Sequence, residues 1–273
     1  MPTTYAHYRF GKEVTEALPR GLQNAIGYHR ELYDIGLHGP DILFYYKALK
    51  SHPVNQQGHT AHENFADAFF EHAVSVIEKA EDPAAARVYI YGVICHFALD
   101  SECHPYIEKM IQESGISHCE LEMEFDRMLM SDDFINPVRH LNTKHIHPTM
   151  RNAKIIAPFF EDVTPEEMQR SLKSMIFYHK LFLVPEPVKR KALFMAMKAI
   201  GKYDALHGIV MSLEPNPACR EYCMLLKRLY AGAVPLAASL ILQFQKRLFN
   251  GQKLPERFHR TFGAGTDWEK LRL

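Results

Sequence analysis

The sequence is short of the features that define several large protein classes. Its five cysteines are an odd number without disulfide-scaffold spacing, which excludes a fold held by disulfides. It has no Ser/Gly linker, low-complexity tract or internal repeat, and its 16 prolines and 14 glycines are dispersed. Fibrous, disordered and solenoid architectures are therefore excluded, and one domain over residues 1–273 is expected. It also lacks a long apolar run. The longest stretch without a charged side chain is the 17 residues Leu229 to Gln245, which contains Pro235 and reads as a buried helix, not a membrane span. The segment Met1 to Arg9 carries no apolar leader, so a reducing cytoplasm is the expected location. Net charge is absent as well, with 32 Lys+Arg against 32 Asp+Glu, and no nucleic-acid-binding motif appears, which argues against nucleic acid as a partner.

What is present is 47% hydrophobic residues, ample for a core, and a pronounced charge asymmetry. Residues 1–147 hold 12 Lys+Arg and 21 Asp+Glu, whereas residues 148–273 hold 20 and 11. The acidic part also contains 13 of the 16 histidines, the mixture expected where divalent cations collect. Simple attraction between the two parts is the alternative.

Helical signals dominate. Asp82-Pro83 places an N-cap before a first-turn proline, and Thr60-Ala61-His62-Glu63 and Thr164-Pro165-Glu166-Glu167 read as capping boxes. The pattern predicts helices near 12–18, 20–35, 60–80, 83–103, 105–114, 117–130, 150–160, 165–183, 187–202, 217–230 and 234–249. No segment alternates as a strand does, so an all-α, multi-helix bundle is expected.

In VYIYGVICHFALD, Val88 to Asp100, His96 and Asp100 lie one helical turn apart among Val93, Ile94, Phe97, Ala98 and Leu99. An ionised carboxylate buried there needs a cation or good hydrogen-bond partners. Gly92, a turn earlier, is expected to leave open space on that face. Pro105 disfavours helical geometry at His104, which predicts a helix end with this imidazole at its mouth. His118 and Glu122 repeat the one-turn spacing on a helix whose Leu121, Phe125 and Met128 face the core. His7, Asp41 and His62 are weaker candidates, and His59 competes with His62.

In order, His7, Asp41, His62, His96-Phe97-Ala98-Leu99-Asp100, His104 and His118-Cys119-Glu120-Leu121-Glu122 resemble the zinc-dependent phospholipase C family, an all-α fold shared with single-strand-specific nucleases. The resemblance implies a cluster of two to three zinc ions. Asp41, His62, His96 and Asp100 would hold one, Asp100 would bridge to a second near His7, and His104, His118 and Glu122 would hold the third. It also implies hydrolysis of a phosphoester such as a phospholipid by metal-activated water attacking phosphorus, with Asp41 as general base. Two departures stand out. His104 follows Asp100 by four residues where the secreted lipases use six, and the chain begins Met1-Pro2 where they begin with a zinc-ligating aromatic residue, leaving the Pro2 amine as a candidate ligand if Met1 is removed.

Alternative readings are a nuclease of the same fold and a non-catalytic helical scaffold that keeps zinc for folding. Cys95, Cys103 and Cys119 adjoin proposed ligands but point elsewhere on their helices and read as small buried residues. His140, His145 and His147 lie in a turn-rich stretch where histidines usually ligate nothing. Tyr5, Tyr8, Phe44, Tyr45 and Tyr46 flank His7 and Asp41 and divide between pocket lining and core packing. Lys189-Arg190-Lys191, Lys198 and Lys202 alternate with Leu193, Phe194, Met195, Met197 and Ile200, a pattern compatible with peripheral contact at an anionic membrane.

Overall fold

The computed structural model describes residues 4–273. Among these the chain is all-α, 73% helical, with twelve α-helices and no strand. In chain order they are α1 (Thr4–Ala17), α2 (Arg20–Tyr28), α3 (Arg30–Gly36), α4 (Pro53–Glu63), α5 (Ala66–Lys79), α6 (Pro83–Ser114), α7 (His118–Asp132), α8 (Met150–Ile156), α9 (Pro165–Phe182), α10 (Pro187–Ala199), α11 (Tyr203–Leu206) and α12 (Arg220–Asn250). A 3-10 turn, Gly39–Tyr45, follows α3.

The axis of the bundle is α6. Asp82 accepts from the Ala85 amide at 3.0 Å, Pro83 occupies the first turn, and Gly115, at φ 71°, closes the helix. From Val88 to Asp100 every residue is buried, as in a helix covered on all sides by α1, α3, α5 and α12. The helix does not stop at His104. It runs through Pro105 to Ser114, because the packing of both halves outweighs the cost of a proline inside a helix, about 3 kcal/mol. Pro235 is likewise carried inside α12, which joins the two predicted helices 217–230 and 234–249. By length and composition alone Pro217–Asn250 could cross a membrane; in the fold its Leu226, Tyr230, Ala237, Ile241 and Phe244 are buried, and the helix packs against α6, α1 and α7.

Other boundaries differ for identifiable reasons. The helix expected over 20–35 is broken at His29, and that expected over 60–80 is broken at Asn64 and Phe65. Thr60 therefore lies near the end of α4 and caps nothing, and His62 sits in a last turn instead of a first. The Thr164 capping box forms as expected. The first helix begins at Thr4, well before residue 12, because its cap comes from elsewhere: Asp126 on α7 accepts the Tyr5 and Ala6 amides at 3.0 and 2.8 Å. The charge asymmetry is partly spent on pairs between the two parts, including Lys227–Asp132, Arg247–Glu71 and Arg257–Glu102, each at 2.7 Å.

Gly92 leaves no open space. It is the crossing point of α3 and α6, where a Cβ on Gly92 would overlap the Tyr33 carbonyl and one on Gly36 the Tyr89 carbonyl. Backbone meets backbone there, so neither side can yield cheaply. Gly92→Ala is expected to cost about 2–3 kcal/mol through overpacking. An unchanged urea midpoint would contradict this reading of the crossing.

Candidate metal centre

The one-turn ladder on α6 delivers His96, Asp100 and His104 in a single row, and the continuity of the helix through Pro105 adds Glu108. Ser117 caps α7 by accepting the Glu120 amide at 3.3 Å, so His118 opens that helix with Glu122 one turn on. The turn after α3 brings in Asp41. Gly39 adopts φ 47°, and a side chain there would collide with the His96 ring, so only glycine lets this backbone lie against the imidazole. From α4, His62 reaches the same place. His59 does not: it is exposed and lies beside Phe44, its ring tilted by 46° with centroids 4.6 Å apart.

Two sets of donors converge. Asp41, His62, His96 and Asp100 each offer an atom within 4.8 Å of the others, and so do His104, His118 and Glu122. His7, on α1, joins the first set through the other oxygen of Asp100, with its Nε2 3.1 Å from Oδ1 while His96 Nε2 lies 3.1 Å from Oδ2. His62 Nε2 is 3.1 Å from Asp41 Oδ1, and His118 Nε2 is 3.1 Å from Glu122 Oε1. These short contacts are badly directed for hydrogen bonds. His96 Nε2, Asp41 Oδ1 and His118 Nε2 are all buried without a hydrogen-bond partner, a costly state for a polar group. Two donors about 2.0 Å from one tetrahedral ion lie about 3.3 Å apart, so contacts of this length that fail as hydrogen bonds suit a shared cation.

The outer nitrogens strengthen the case. His62 Nδ1 lies 2.7 Å from the Gly58 carbonyl and His104 Nδ1 2.8 Å from the Phe262 carbonyl. A carbonyl only accepts, so each Nδ1 carries the proton and each Nε2 can present a lone pair inward. His118 Nδ1 is 3.4 Å from Glu108 Oε1. The sets open into a cleft of about 180 Å³ lined by Asp41, Phe44, His62, Asp100, His104, Glu108, His118, Glu122, Gly263 and Ala264. His7 and His96 do not line it, and both are buried.

The loop histidines and the cysteines lie apart from both sets, as their positions in the sequence suggested. His145 pairs with His38 at 2.7 Å between Nε2 atoms, His147 is exposed near Glu31, and His140 lines a separate apolar pocket with His179. No cysteine belongs to either set; Cys95 and Cys103 are buried, and burial pushes the Cys95 thiol up to about 12. Of the five flanking aromatics, Phe44 lines the cleft, Tyr5, Tyr45 and Tyr46 are buried, and half-buried Tyr8 stacks on His145 with centroids 4.1 Å apart. The Pro2 amine lies outside the described residues. Glu108, Phe262, Gly263 and Ala264 are the residues that sequence reasoning missed. Only Glu108 left a signal, one turn beyond His104, and the expected break at Pro105 hid it.

Without metal, the cluster holds protons. Burial would lower the His62 and His118 imidazoles, but Asp41 and Asp100 raise His62 to about 10, and Glu122 and Glu108 raise His118 to about 9. Burial would raise Asp41 and Asp100, yet the surrounding imidazoles, His96 first, hold both below the usual carboxylate range. A raised imidazole stabilises the metal-free fold fully below its unfolded value of about 6.5, and that contribution is lost as pH climbs through the folded value. The metal-free chain is therefore expected to lose thermal stability progressively from about pH 6.5 to about 10, the interval between the unfolded value and the folded values of these two histidines. Metal uptake near pH 7.5 is expected to release the His62 and His118 protons, measurable with an indicator dye in weak buffer. Uptake with no proton release would contradict this electrostatic picture.

Neither the curated proteins nor the solved structures include a match to this chain. The family model described as zinc dependent phospholipase C matches residues 6–175, a span that contains every residue of both donor sets and His7. The match, the helical fold and the ordered donors agree: the chain belongs to the zinc-dependent phospholipase C family, a family of zinc-dependent hydrolases.

Proposed function

We propose that the chain hydrolyses a phosphodiester bearing an apolar group, a phospholipid or a close analogue, with two to three zinc ions held by His7, Asp41, His62, His96, Asp100, His104, His118 and Glu122. The observation that carries this reading is the pair of donor sets facing one cleft. Imidazole and carboxylate together suit zinc, and the three donors of His104, His118 and Glu122 would leave a fourth position on their ion for substrate. Support for an apolar substrate portion comes from Phe44. Its ring is a wall of the cleft and also of a neighbouring groove of about 480 Å³, lined by Tyr45, Leu49, Tyr178, Phe182, Leu206 and Ile209 with Lys50 and Lys202 at its edge.

Bound zinc supplies Lewis acidity, polarising a phosphoryl oxygen and lowering the pKa of water. The protein's own groups orient and exclude. His62 and His104, with Nδ1 committed to carbonyls, are fixed in the tautomer that turns Nε2 inward. Asp41, kept ionised by His96 and His62 against its burial, lies on the cleft wall where it can accept the proton of an attacking water. Phe44 keeps solvent from the shared wall.

Support for peripheral membrane contact comes from α10, although its Leu193, Phe194 and Met197 pack inward on Val184 and Val210 and are not part of the exposed face. Its outward face carries Val188, Ala192, Met195 and Ala199, all exposed, beside exposed Lys189, Lys191 and Lys198 with no acidic residue in the helix. Such a face suits an anionic bilayer. Lys202 and Leu206, just beyond α10, line the groove that Phe44 joins to the cleft.

Purified protein is expected to cleave a chromogenic phosphodiester, to lose turnover to a chelator and to regain it with zinc. Asp41→Asn should lose about 100- to 10,000-fold in kcat, and a variant that keeps both its metal and full turnover would remove the base role. Phospholipid in anionic vesicles should be cleaved faster than in zwitterionic ones, with the difference removed by Lys191→Glu and Met195→Glu together. Chelator-insensitive turnover would overturn the metal reading; cleavage of single-stranded RNA in place of lipid would replace the substrate.

A further inference from the structure

The segment after α12 returns across the molecule to the metal cleft, and it lies wholly beyond the matched span 6–175. Phe258 anchors it, fully buried and packed against Phe70 and Phe97 with centroids 4.8 and 5.8 Å away. The Arg260 carbonyl accepts the Ala66 amide at 2.8 Å, and Thr261 forms an antiparallel bridge with Phe65. The Gly263 amide then donates to the His62 carbonyl at 3.0 Å.

Between these anchors the strand-like segment touches both donor sets. The Phe262 carbonyl accepts from His104 Nδ1 at 2.8 Å, and the Phe262 ring, 1% exposed, lies 5.8 Å from the His96 ring and 6.1 Å from that of His62. Gly263 is required for so close an approach, since a Cβ there would lie 2.7 Å from the His62 carbonyl oxygen, a backbone atom.

We propose that residues 258–264 form a strap that positions the metal ligands. The Phe262 carbonyl fixes the tautomer and aim of His104, while Gly263 ties the strap to the backbone of His62, so the strap couples one donor from each set. This rests on the reading that the cleft holds metal. Outer hydrogen-bond partners of ligating histidines typically govern metal affinity by about 10- to 100-fold.

The test is cobalt(II) titration of the full chain, followed by visible absorption, on wild type, Gly263→Ala, Phe262→Ala and Phe262→Leu. Melting of each metal-free protein is measured alongside. Gly263→Ala and Phe262→Ala should weaken cobalt binding about 10-fold or more and shift the absorption bands. Phe262→Leu, which keeps most of the apolar volume that Phe262→Ala removes and so holds the backbone carbonyl in place, should stay within about threefold of wild type. A purely structural strap would lower metal-free melting in all three variants and leave cobalt affinity and bands unchanged, and that result overturns the proposal. Absence of cobalt binding by wild type would instead overturn the metal reading on which the strap depends.

Discussion

Three buried carboxylates surrounded by imidazoles set the terms for this fold. Asp41, Asp100 and Glu122 are each almost inaccessible to solvent, and five histidines crowd around them at distances too short to ignore and too poorly directed to hydrogen-bond. Burying ionised groups costs several kcal/mol apiece unless the opposing charge is well placed. Protons on His62 and His118 can supply that charge only below about pH 9, whereas divalent cations supply it over a wider range and satisfy the orphaned lone pairs as well.

That requirement explains the architecture around α6. A helix covered on all sides can place a row of polar groups at one-turn intervals only if neighbouring backbones come close, and the glycines do this. Gly36 and Gly92 let α3 press against α6, which carries the following turn to Gly39, where the chain lies against the His96 ring and presents Asp41. On the other side α7 contributes Glu122 to the donors and Asp126, one turn later, to the start of α1. One helix therefore sets two donors, His118 and Glu122, and the position of His7.

The donor sets were legible in the sequence where ligands share a helix. His96 with Asp100 and His118 with Glu122 stand one turn apart, and periodicity alone pairs them. Their convergence on His7, Asp41 and His62 was carried by resemblance, because nothing local distinguishes His62 from His59. Pro105 misled for a physical reason: its local preference against helix is real, but burial on both sides of it is worth more. The cap of α1 and the partner of His104 were not legible at all. Asp126 acts across 120 residues of sequence, and a carbonyl such as that of Phe262 is present at every position of every chain.

The most direct test of the central claim is the number of metal ions held by the intact chain, counted by native mass spectrometry on protein loaded with zinc and freed of excess. The account predicts two or three zincs in wild type, and one fewer or none in His96→Ala. A wild-type chain that carries no zinc, or a His96→Ala chain that carries as many as wild type, would contradict it.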